Sequence, residues 1–201
     1  MKSKSFSPLL RLFGATIPVV ASCLFAAVPS IGCASTPDAE SARKLNLPKW
    51  DGSMRDLFPN EIDPAALGLG APKKASRTDR TLWARATTAD VVGRARVQTV
   101  TVGSRGGVET YQIGIQFASP TLATPKTDLT TFELTIGPSD SAYGMVKALD
   151  SRMQGKIFVA FVKRFVGADD EIVVHFYLSP DSADVASVIQ EAVAVQEVSH
   201  Q

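Results

Sequence analysis

The feature that most constrains the fold is the strict alternation of apolar and polar side chains between Thr110 and Phe117. One side of this alternation holds Tyr111, Ile113, Ile115 and Phe117, and the other holds Gln112, Gly114 and Gln116. Residues 130–136 repeat the pattern, with Phe132, Leu134 and Ile136 on the apolar side. Successive side chains of a strand point to opposite faces, so a period of two predicts strands that bury one face. The chain must therefore build a sheet over a core.

Three further segments are predicted to be strands. Val91 to Gly103 forms one long strand whose apolar positions change phase at Val100, which predicts a β-bulge or a sharp bend. The glycine pair in 104–108 then predicts a hairpin turn. Residues 157–165 carry apolar side chains on both faces, which is typical of a central strand, and 172–178 form the fifth strand.

Helices are predicted before, between and after these strands. Their start signals are Thr78 or Asp79 for the first helix, Ser139 or Ser141 for the second and Ser179-Pro180-Asp181 for the third. A side-chain oxygen at such a position can accept a backbone N–H of the first turn, and proline and an acid both favour that turn. The first helix is expected to end near Asp90 and the second at Gly155.

The order of three strands, a helix and two strands resembles the OB-fold, a small five-stranded barrel. This resemblance implies an α+β fold, mainly antiparallel β. The expected architecture is a five-stranded OB-like barrel with a helix between strands 3 and 4 and flanking N- and C-terminal helices. An open antiparallel sheet with helices on one face is the alternative.

Residues 1–32 have the layout of a secretory signal peptide. Three basic residues, Lys2, Lys4 and Arg11, precede an almost wholly apolar stretch at 12–29. The leader ends in Ser30-Ile31-Gly32-Cys33, which resembles the site where bacterial lipoproteins are cleaved and lipidated on the cysteine. Ordinary signal-peptidase cleavage after Ala34 or Ser35, which would release a secreted soluble protein, is the alternative.

The cysteine count supports attachment at Cys33. The chain has two cysteines, and Cys23 lies inside the apolar leader. Removal of the leader leaves one cysteine, which cannot form an intramolecular disulfide, and acylation accounts for it. Residues 33–49 are then a flexible polar tether. Ala34 after the cysteine favours the outer membrane, by similarity to enterobacterial sorting rules.

The charge balance argues against nucleic acid as a partner. The chain has 21 basic and 20 acidic residues, and the leader contains three of the basic ones and no acidic one. The mature chain would carry 18 basic and 20 acidic side chains, a net charge near −2. Nucleic-acid-binding proteins need a basic patch, and proteins held to membranes by charge need a polybasic run.

Residues 50–77 combine apolar side chains with prolines. Trp50, Phe58 and Ile62 argue against simple disorder, while Pro59 and Pro64 forbid one long helix. We expect an irregular apolar segment and linker that either packs on the following domain or binds a partner. The compact domain is expected to span 78–201.

This segment also carries a resemblance to other proteins. The stretches concerned are Trp50-Asp51-Gly52, Arg55-Asp56-Leu57-Phe58, Pro64-Ala65-Ala66-Leu67-Gly68-Leu69 and the Leu-Ser-Pro-Asp run at 178–181. They are similar to stretches of uncharacterised predicted bacterial lipoproteins of myxobacterial type. The resemblance implies an envelope location and no particular activity.

No pattern predicts a catalytic residue, a cofactor or a metal site. His175 shares a strand face with Val173 and Tyr177, opposite the expected core face, and we expect it to be solvated or hydrogen-bonded. It has no second histidine or cysteine at ligand spacing, so zinc is not predicted. Arg94, Arg96 and Gln98 alternate along the first strand and could line a ligand-binding face, although a solvated face is favoured.

Three short patterns are interpreted as chance or as surface. These are Ser41-Ala42-Arg43-Lys44, which resembles the Ser-x-x-Lys of penicillin-binding enzymes, Gly68-Leu69-Gly70 with Lys73-Lys74, and Asp169-Asp170-Glu171. The first lies in the tether, the second lacks the strand and the ending of a phosphate loop, and the third lacks calcium-loop spacing.

The sequence therefore favours a non-catalytic envelope lipoprotein. Lipid on Cys33 would hold it to the membrane, and the β domain would serve binding or assembly, with an envelope protein as the possible partner. A secreted OB-like domain related to protease inhibitors is the first alternative, and an enzyme with an unrecognised site is the second.

Overall fold

The computed structural model describes residues 46–71, 74–75, 77–105 and 107–199. The strands are β1 (Glu61–Ile62), β2 (Val91–Arg105), β3 (Val108–Phe117), β4 (Thr131–Ile136), β5 (Ile157–Val166) and β6 (Ile172–Pro180). The α-helices are α1 (Arg80–Thr88), α2 (Tyr143–Met153) and α3 (Ala183–Ser199), and a 3-10 helix spans Pro64–Leu67. Within these ranges, no helix combines the length and the apolar character needed to cross a bilayer.

The six strands form one sheet in the order β1-β6-β5-β2-β3-β4. β1 runs parallel to β6, and every other neighbouring pair is antiparallel. The predicted α+β class with mainly antiparallel β is confirmed. The predicted five-stranded OB-like barrel is wrong, because the described sheet has six strands and no ladder joins β4 to β6.

The chain ahead of α1 occupies part of the β6 edge that barrel closure would use. Two backbone groups on this edge have partners there. The N–H of Phe176 donates to Oδ1 of Asn60 at 3.2 Å, and the C=O of Leu178 accepts from the N–H of Asp63 at 2.8 Å. The segment predicted to be irregular thus contributes β1 and covers this half of the edge.

We call the contact between the chain ahead of α1 and the β6 edge the seam. Asn60 holds the seam through both its side chain and its backbone. Its Nδ2 donates to Oδ1 of Asp140 at 2.9 Å, and its C=O accepts from the N–H of Ala142 at 3.1 Å. The residue is 7% exposed and has a φ of +52°, a left-handed conformation that asparagine tolerates better than most residues. Asn60 therefore ties β6 to the loop that precedes α2.

The predicted bulge in the first long strand is confirmed. The register of β2 against β3 shifts between Val97 and Thr99 and brings Thr99 opposite Gly114. A Cβ on Gly114 would lie 2.5 Å from Oγ1 of Thr99, so Thr99 would have to shift to admit any side chain at residue 114. A bulge increases strand twist. β4 comes within 8 Å of β6 between Cα atoms, although three strands lie between them in the sheet.

Apolar side chains cover both faces of the sheet. On one face, Phe158 and Val162 of β5 pack with Val146 and Met153 of α2. On the other face, buried residues of β5 such as Phe161 pack with α1 and α3. The predicted two-sided burial of this strand is confirmed. The open sheet of the alternative prediction is present, but its helices lie on both faces rather than one.

The apolar segment ahead of α1 packs on the same domain. Phe58 and Ile62 are both fully buried. Phe58 belongs to the core under α1 and α3, whereas Ile62 belongs to the core on the α2 face. The segment therefore contributes to both cores.

One of the predicted helix caps is present. Oδ1 of Asp79 accepts from the N–H groups of Thr81 and Leu82, each at 3.0 Å. The cap predicted at Ser139 or Ser141 is wrong, because α2 begins after Ala142 without a side-chain cap. The preceding loop is held instead by Asp140, as described above.

The third cap lies later in the chain than predicted. β6 continues through Pro180, because Ser179 pairs with Val159 of β5. Oγ of Ser182 then accepts from the N–H of Val185 at 3.2 Å, as an N-cap would. The predicted start of the third helix at Ser179 is wrong, because the pairing of β6 with β5 continues past this residue.

Replacement of Asn60 measures what the seam contributes to stability. Asn60→Gly keeps a residue that adopts positive φ freely but removes the bonds to Phe176 and Asp140. We expect a loss of about 2 kcal/mol in the free energy of unfolding, because a buried N–H loses its acceptor. Asn60→Ala should lose about 1 kcal/mol more, since its Cβ is strained at this φ. Urea unfolding followed by tryptophan fluorescence gives both values.

Asn46 provides the matched control, because it is exposed and has a φ of +50°. Asn46→Gly should change the free energy of unfolding by less than about 0.5 kcal/mol. Equal stability of Asn60→Gly and the unmodified chain would contradict the role of the seam.

Candidate functional site

A cleft with many polar lining residues lies around His175 and has a volume of about 510 Å³. Trp50, Arg55, Asn60, Arg85, Asp140 and His175 are among its lining residues. The segment ahead of α1 forms one wall, α1 supplies Arg85, and the loop before α2 supplies Asp140 with Ser139 and Ser141. We call this space the His175 cleft.

The imidazole of His175 is held between aromatic rings. It stacks on Trp50 with a centroid distance of 3.7 Å and an interplanar angle of 19°, and it meets the ring of Phe165 edge-on at 5.6 Å. His175 does share its strand face with Val173 and Tyr177, which pack with the core under α1 and α3. His175 is half-buried and lines the cleft, so the ring is partly solvated, as predicted, and its described contacts are with aromatic rings.

Burial is the main cause of a lowered pKa at His175. Low-polarity surroundings disfavour the charged imidazolium. Asp140 opposes this effect and Arg55 adds to it, because a nearby carboxylate favours the cation and a nearby guanidinium disfavours it. The ring is therefore neutral at pH 7.

The cleft does not assemble a proton-transfer chain among the described residues. General-base catalysis requires a base within hydrogen-bond reach of the group it deprotonates. Ser139 and Ser141 line the same cleft, yet within the described ranges the contacts of His175 are with rings rather than with a hydroxyl or a carboxylate. The geometry suits stacking and shape recognition better than acid–base chemistry.

Arg85 lines this cleft, and its guanidinium contacts both the segment ahead of α1 and the sheet. Its Nε donates to the C=O of Leu57 at 2.7 Å, and its Nη2 donates to the C=O of Asp56 at 3.3 Å. The guanidinium carbon lies 3.6 Å from the ring centroid of Tyr177, and burial lowers the pKa of Arg85. These contacts bind the segment ahead of α1 to the sheet.

A second polar cluster was missed by the sequence analysis. Asp90 accepts from Nζ of Lys163 at 2.9 Å and from Nε of Arg164 at 3.2 Å. It also accepts from the backbone N–H of Arg164 at 3.1 Å. All three side chains are buried, with exposures of 6% for Asp90, 11% for Lys163 and 8% for Arg164. Two adjacent cations inside the apolar run of β5 were the signal that could have revealed it.

The remaining sequence candidates do not come together. Nε of Arg94 pairs with Asp181 at 2.7 Å, and Nε2 of Gln98 donates to Oε1 of Gln116 at 2.9 Å. Arg96 is exposed. The solvated face expected for these residues carries surface partners rather than a shared ligand site.

The three short patterns that the sequence suggested also form no site among the described residues. Ser41, Lys44 and Lys73 lie outside the described residues. Gly68 ends the 3-10 helix in a left-handed conformation, and Glu171 accepts from the N–H of Asp169 inside its turn. In the described ranges, no group of three or more His, Cys, Asp and Glu residues could hold a metal ion.

The titration of His175 tests the aromatic enclosure. In the unfolded chain the imidazole takes its proton near pH 6.5, whereas the folded state resists protonation. Above that pH the imidazole is neutral in both states and does not lower the free energy of unfolding. As the pH falls from 6.5 toward the folded pKa, the unfolded chain binds a proton that the folded chain does not, so the free energy of unfolding declines. NMR titration in a His200→Gln background, which leaves one histidine, should give a midpoint below 6.5.

Trp50→Leu should raise this midpoint toward the ordinary value, because it removes the ring that covers the imidazole. Trp83→Phe is the control, since the described ring contacts of His175 do not include Trp83. An unchanged midpoint in Trp50→Leu would refute the enclosure.

Replacement of Asp90 tests the buried cluster. Asp90→Asn leaves Lys163 and Arg164 buried without a carboxylate, so we expect a loss of about 3 to 5 kcal/mol in the free energy of unfolding. Asp181→Asn removes the half-exposed pair with Arg94 and should cost at most about 1 kcal/mol. If both variants lose the same free energy of unfolding in urea, burial of the ion pair does not determine how much its loss destabilises the protein.

Comparison of this chain with protein-family models, with curated proteins and with solved structures finds no match. The similarity to predicted lipoproteins of myxobacterial type therefore stays a prediction.

Proposed function

We propose that this chain is a lipid-anchored protein of the bacterial cell envelope whose β domain binds a partner without catalysing a reaction. One observation carries the proposal: an apolar leader ends in Gly32-Cys33, and Cys33 is the one cysteine left after the leader. Lipid on this cysteine gives it a chemical role, and the polar residues that follow suit a tether. The outer membrane is the proposed location, with a secreted soluble form as the alternative.

The features of the domain are consistent with binding. The His175 cleft presents stacked rings and charged side chains without a linked base and nucleophile, and such surfaces recognise partners by shape and charge. The proposed partner is an envelope protein, and the near-neutral charge balance of the mature chain does not favour nucleic acid.

Substitution of each cysteine tests the anchor. The chain with its leader is expressed in a bacterial host that lipidates proteins, and membrane and soluble fractions are separated. Cys33→Ser should abolish the acyl mass on the mature N-terminus and move the protein out of the membrane fraction. A thioether-linked diacylglycerol with an added acyl chain inserts apolar carbon worth about 0.8 kcal/mol per CH₂.

Cys23→Ser is the matched control, because Cys23 lies in the leader. It should leave both the mature mass and the membrane fraction unchanged. Intact-mass analysis that finds an unmodified Cys33, or a mature N-terminus after Ala34 or Ser35, would overturn the proposed anchor.

A further inference from the structure

The end of the β2–β3 hairpin projects beyond the rest of the sheet. β2 pairs with β5 only over Val91–Arg96, and β3 pairs with β4 only over Tyr111–Gln116. Beyond these limits the two strands pair with each other alone, as far as Arg105 and Val108. We call residues 99–110 the β arm. In the described part of the chain, no strand lies along the β2 edge of this arm.

The hydrogen-bond pattern of the β arm shows which residues face its open edge. Arg105 and Val108 pair on either side of a two-residue turn, and the residues that flank such a turn form a hydrogen-bonded pair. Because hydrogen-bonded pairs alternate along an antiparallel ladder, Val100, Val102 and Ser104 direct their N–H and C=O groups away from β3. Among the described residues, these groups have no hydrogen-bond partner.

A contact at the base of the arm supports this direction. The C=O of Gln98 accepts from Nε2 of Gln154, on the side of β2 that faces β5, at 3.2 Å. Val100 lies two residues further along the strand and therefore faces the same side. The free edge begins after Gln98 and consists of Val100, Val102 and Ser104.

This edge lacks the features that normally keep an exposed strand from pairing. Charged side chains, prolines and covering elements serve that purpose in other sheets. Residues 97–104 contain no charged residue and no proline, and Val102 is 53% exposed. By contrast, the edge strand β4 carries the exposed Glu133, and Asn60 and β1 cover part of β6. The β arm is therefore the edge best suited to accept another strand.

A second copy of the chain supplies a matching edge. Identical strands can pair antiparallel about a two-fold axis, and one register uses every free residue of both edges. In this register Val102 lies opposite the partner's Val102, and Val100 lies opposite the partner's Ser104. No like charges meet, because 97–104 is uncharged, and the two exposed valines cover each other. Each arm then ends beside the partner's Gln98 with a turn whose glycine pair adds no side chain.

The β arm lies far from the His175 cleft. His175 pairs with Lys163 in the second half of β5, whereas Ile157, the first residue of β5, pairs with Arg96 at the base of the arm. The six residues between Ile157 and Lys163 span about 20 Å of strand. Association through the arms therefore leaves the His175 cleft of each copy accessible.

We propose that two copies of this chain associate by antiparallel pairing of their β arms, with Val102 on the two-fold axis. Three residues from each copy form a short ladder, which buries less than the roughly 1,200 Å² of stable interfaces, so the association is weak in dilute solution. Anchors in one membrane raise the effective concentration of the copies. The strength of pairing in the envelope thus rests on the proposed lipid on Cys33, whereas the pairing itself goes beyond that proposal.

Oxidative crosslinking in membranes tests the position of the axis. The full chain with Val102→Cys is expressed in a host that lipidates proteins, and isolated membranes are treated with a mild oxidant. Cα atoms of a hydrogen-bonded pair lie about 5.5 Å apart, which a disulfide can span. We expect a disulfide-linked homodimer, identified by its mass.

Val108→Cys is the matched control, because Val108 is 49% exposed but lies on β3. Two copies of this residue are separated by three strand spacings, at least about 14 Å, so a disulfide cannot join them. The unmodified chain controls for Cys33. A disulfide-linked dimer of that chain would reveal a free thiol at Cys33 and would contradict the anchor rather than the β arm.

Lysine at the same two positions tests the edge in solution. The mature chain with Cys33→Ser is measured by sedimentation equilibrium up to about 1 mM, where we expect a monomer–dimer equilibrium. Val102→Lys places two ammonium groups opposite each other and should weaken the association about tenfold or more. Val108→Lys should leave it within about twofold. Urea unfolding verifies that both variants fold.

Four results would overturn the proposal. The first is a Val102→Cys chain that forms no more homodimer than Val108→Cys. The second is a monomer up to about 1 mM, and the third is equal association of the two lysine variants. The fourth is a disulfide from Val102→Cys to a different envelope protein, because it would show that the edge serves another partner.

Discussion

The structure depends on the set of hydrogen bonds made by Asn60. One buried side chain binds the β6 edge through Phe176 and the loop before α2 through Asp140. Its backbone C=O adds Ala142. Because these partners belong to elements distant in sequence, a single residue defines where the segment ahead of α1 meets both β6 and α2. β1 follows Asn60 directly and lies on the β6 edge that a closed barrel would use.

The local pattern of the chain was a good guide to its strands. The alternation at 110–117 and 130–136, the phase change in β2 and the two-sided apolar character of β5 each correspond to an observed element. These features were predictable because they depend on burial of neighbouring residues. The sixth strand was not predictable, because two residues carry no period and β1 exists through bonds to residues more than 100 positions away.

The polar sites also divide into those set by neighbouring residues, which were predictable, and those set by distant residues, which were not. Asp79 could be identified as a cap because its partners lie two and three residues away. The partners of His175 and Asp90 are set by the fold: Trp50 comes from the segment ahead of α1, and Lys163 and Arg164 come from β5. No spacing in the sequence encodes such contacts. The Lys163-Arg164 pair was still informative, since adjacent cations in a central strand require a carboxylate nearby.

The chain joins the sheet through a short stretch beside the end of β5. Val166 donates its N–H to the C=O of Pro48 at 2.9 Å and accepts from the N–H of Trp50 at 2.8 Å. Within the described part of the chain, these two bonds are the first backbone bonds between this stretch and the sheet. The next contact along the chain is the ring of Trp50, which covers His175. Because Trp50 also packs edge-on against Phe165, tension that peels this stretch away would uncover the imidazole and one side of the core under α1 and α3 together.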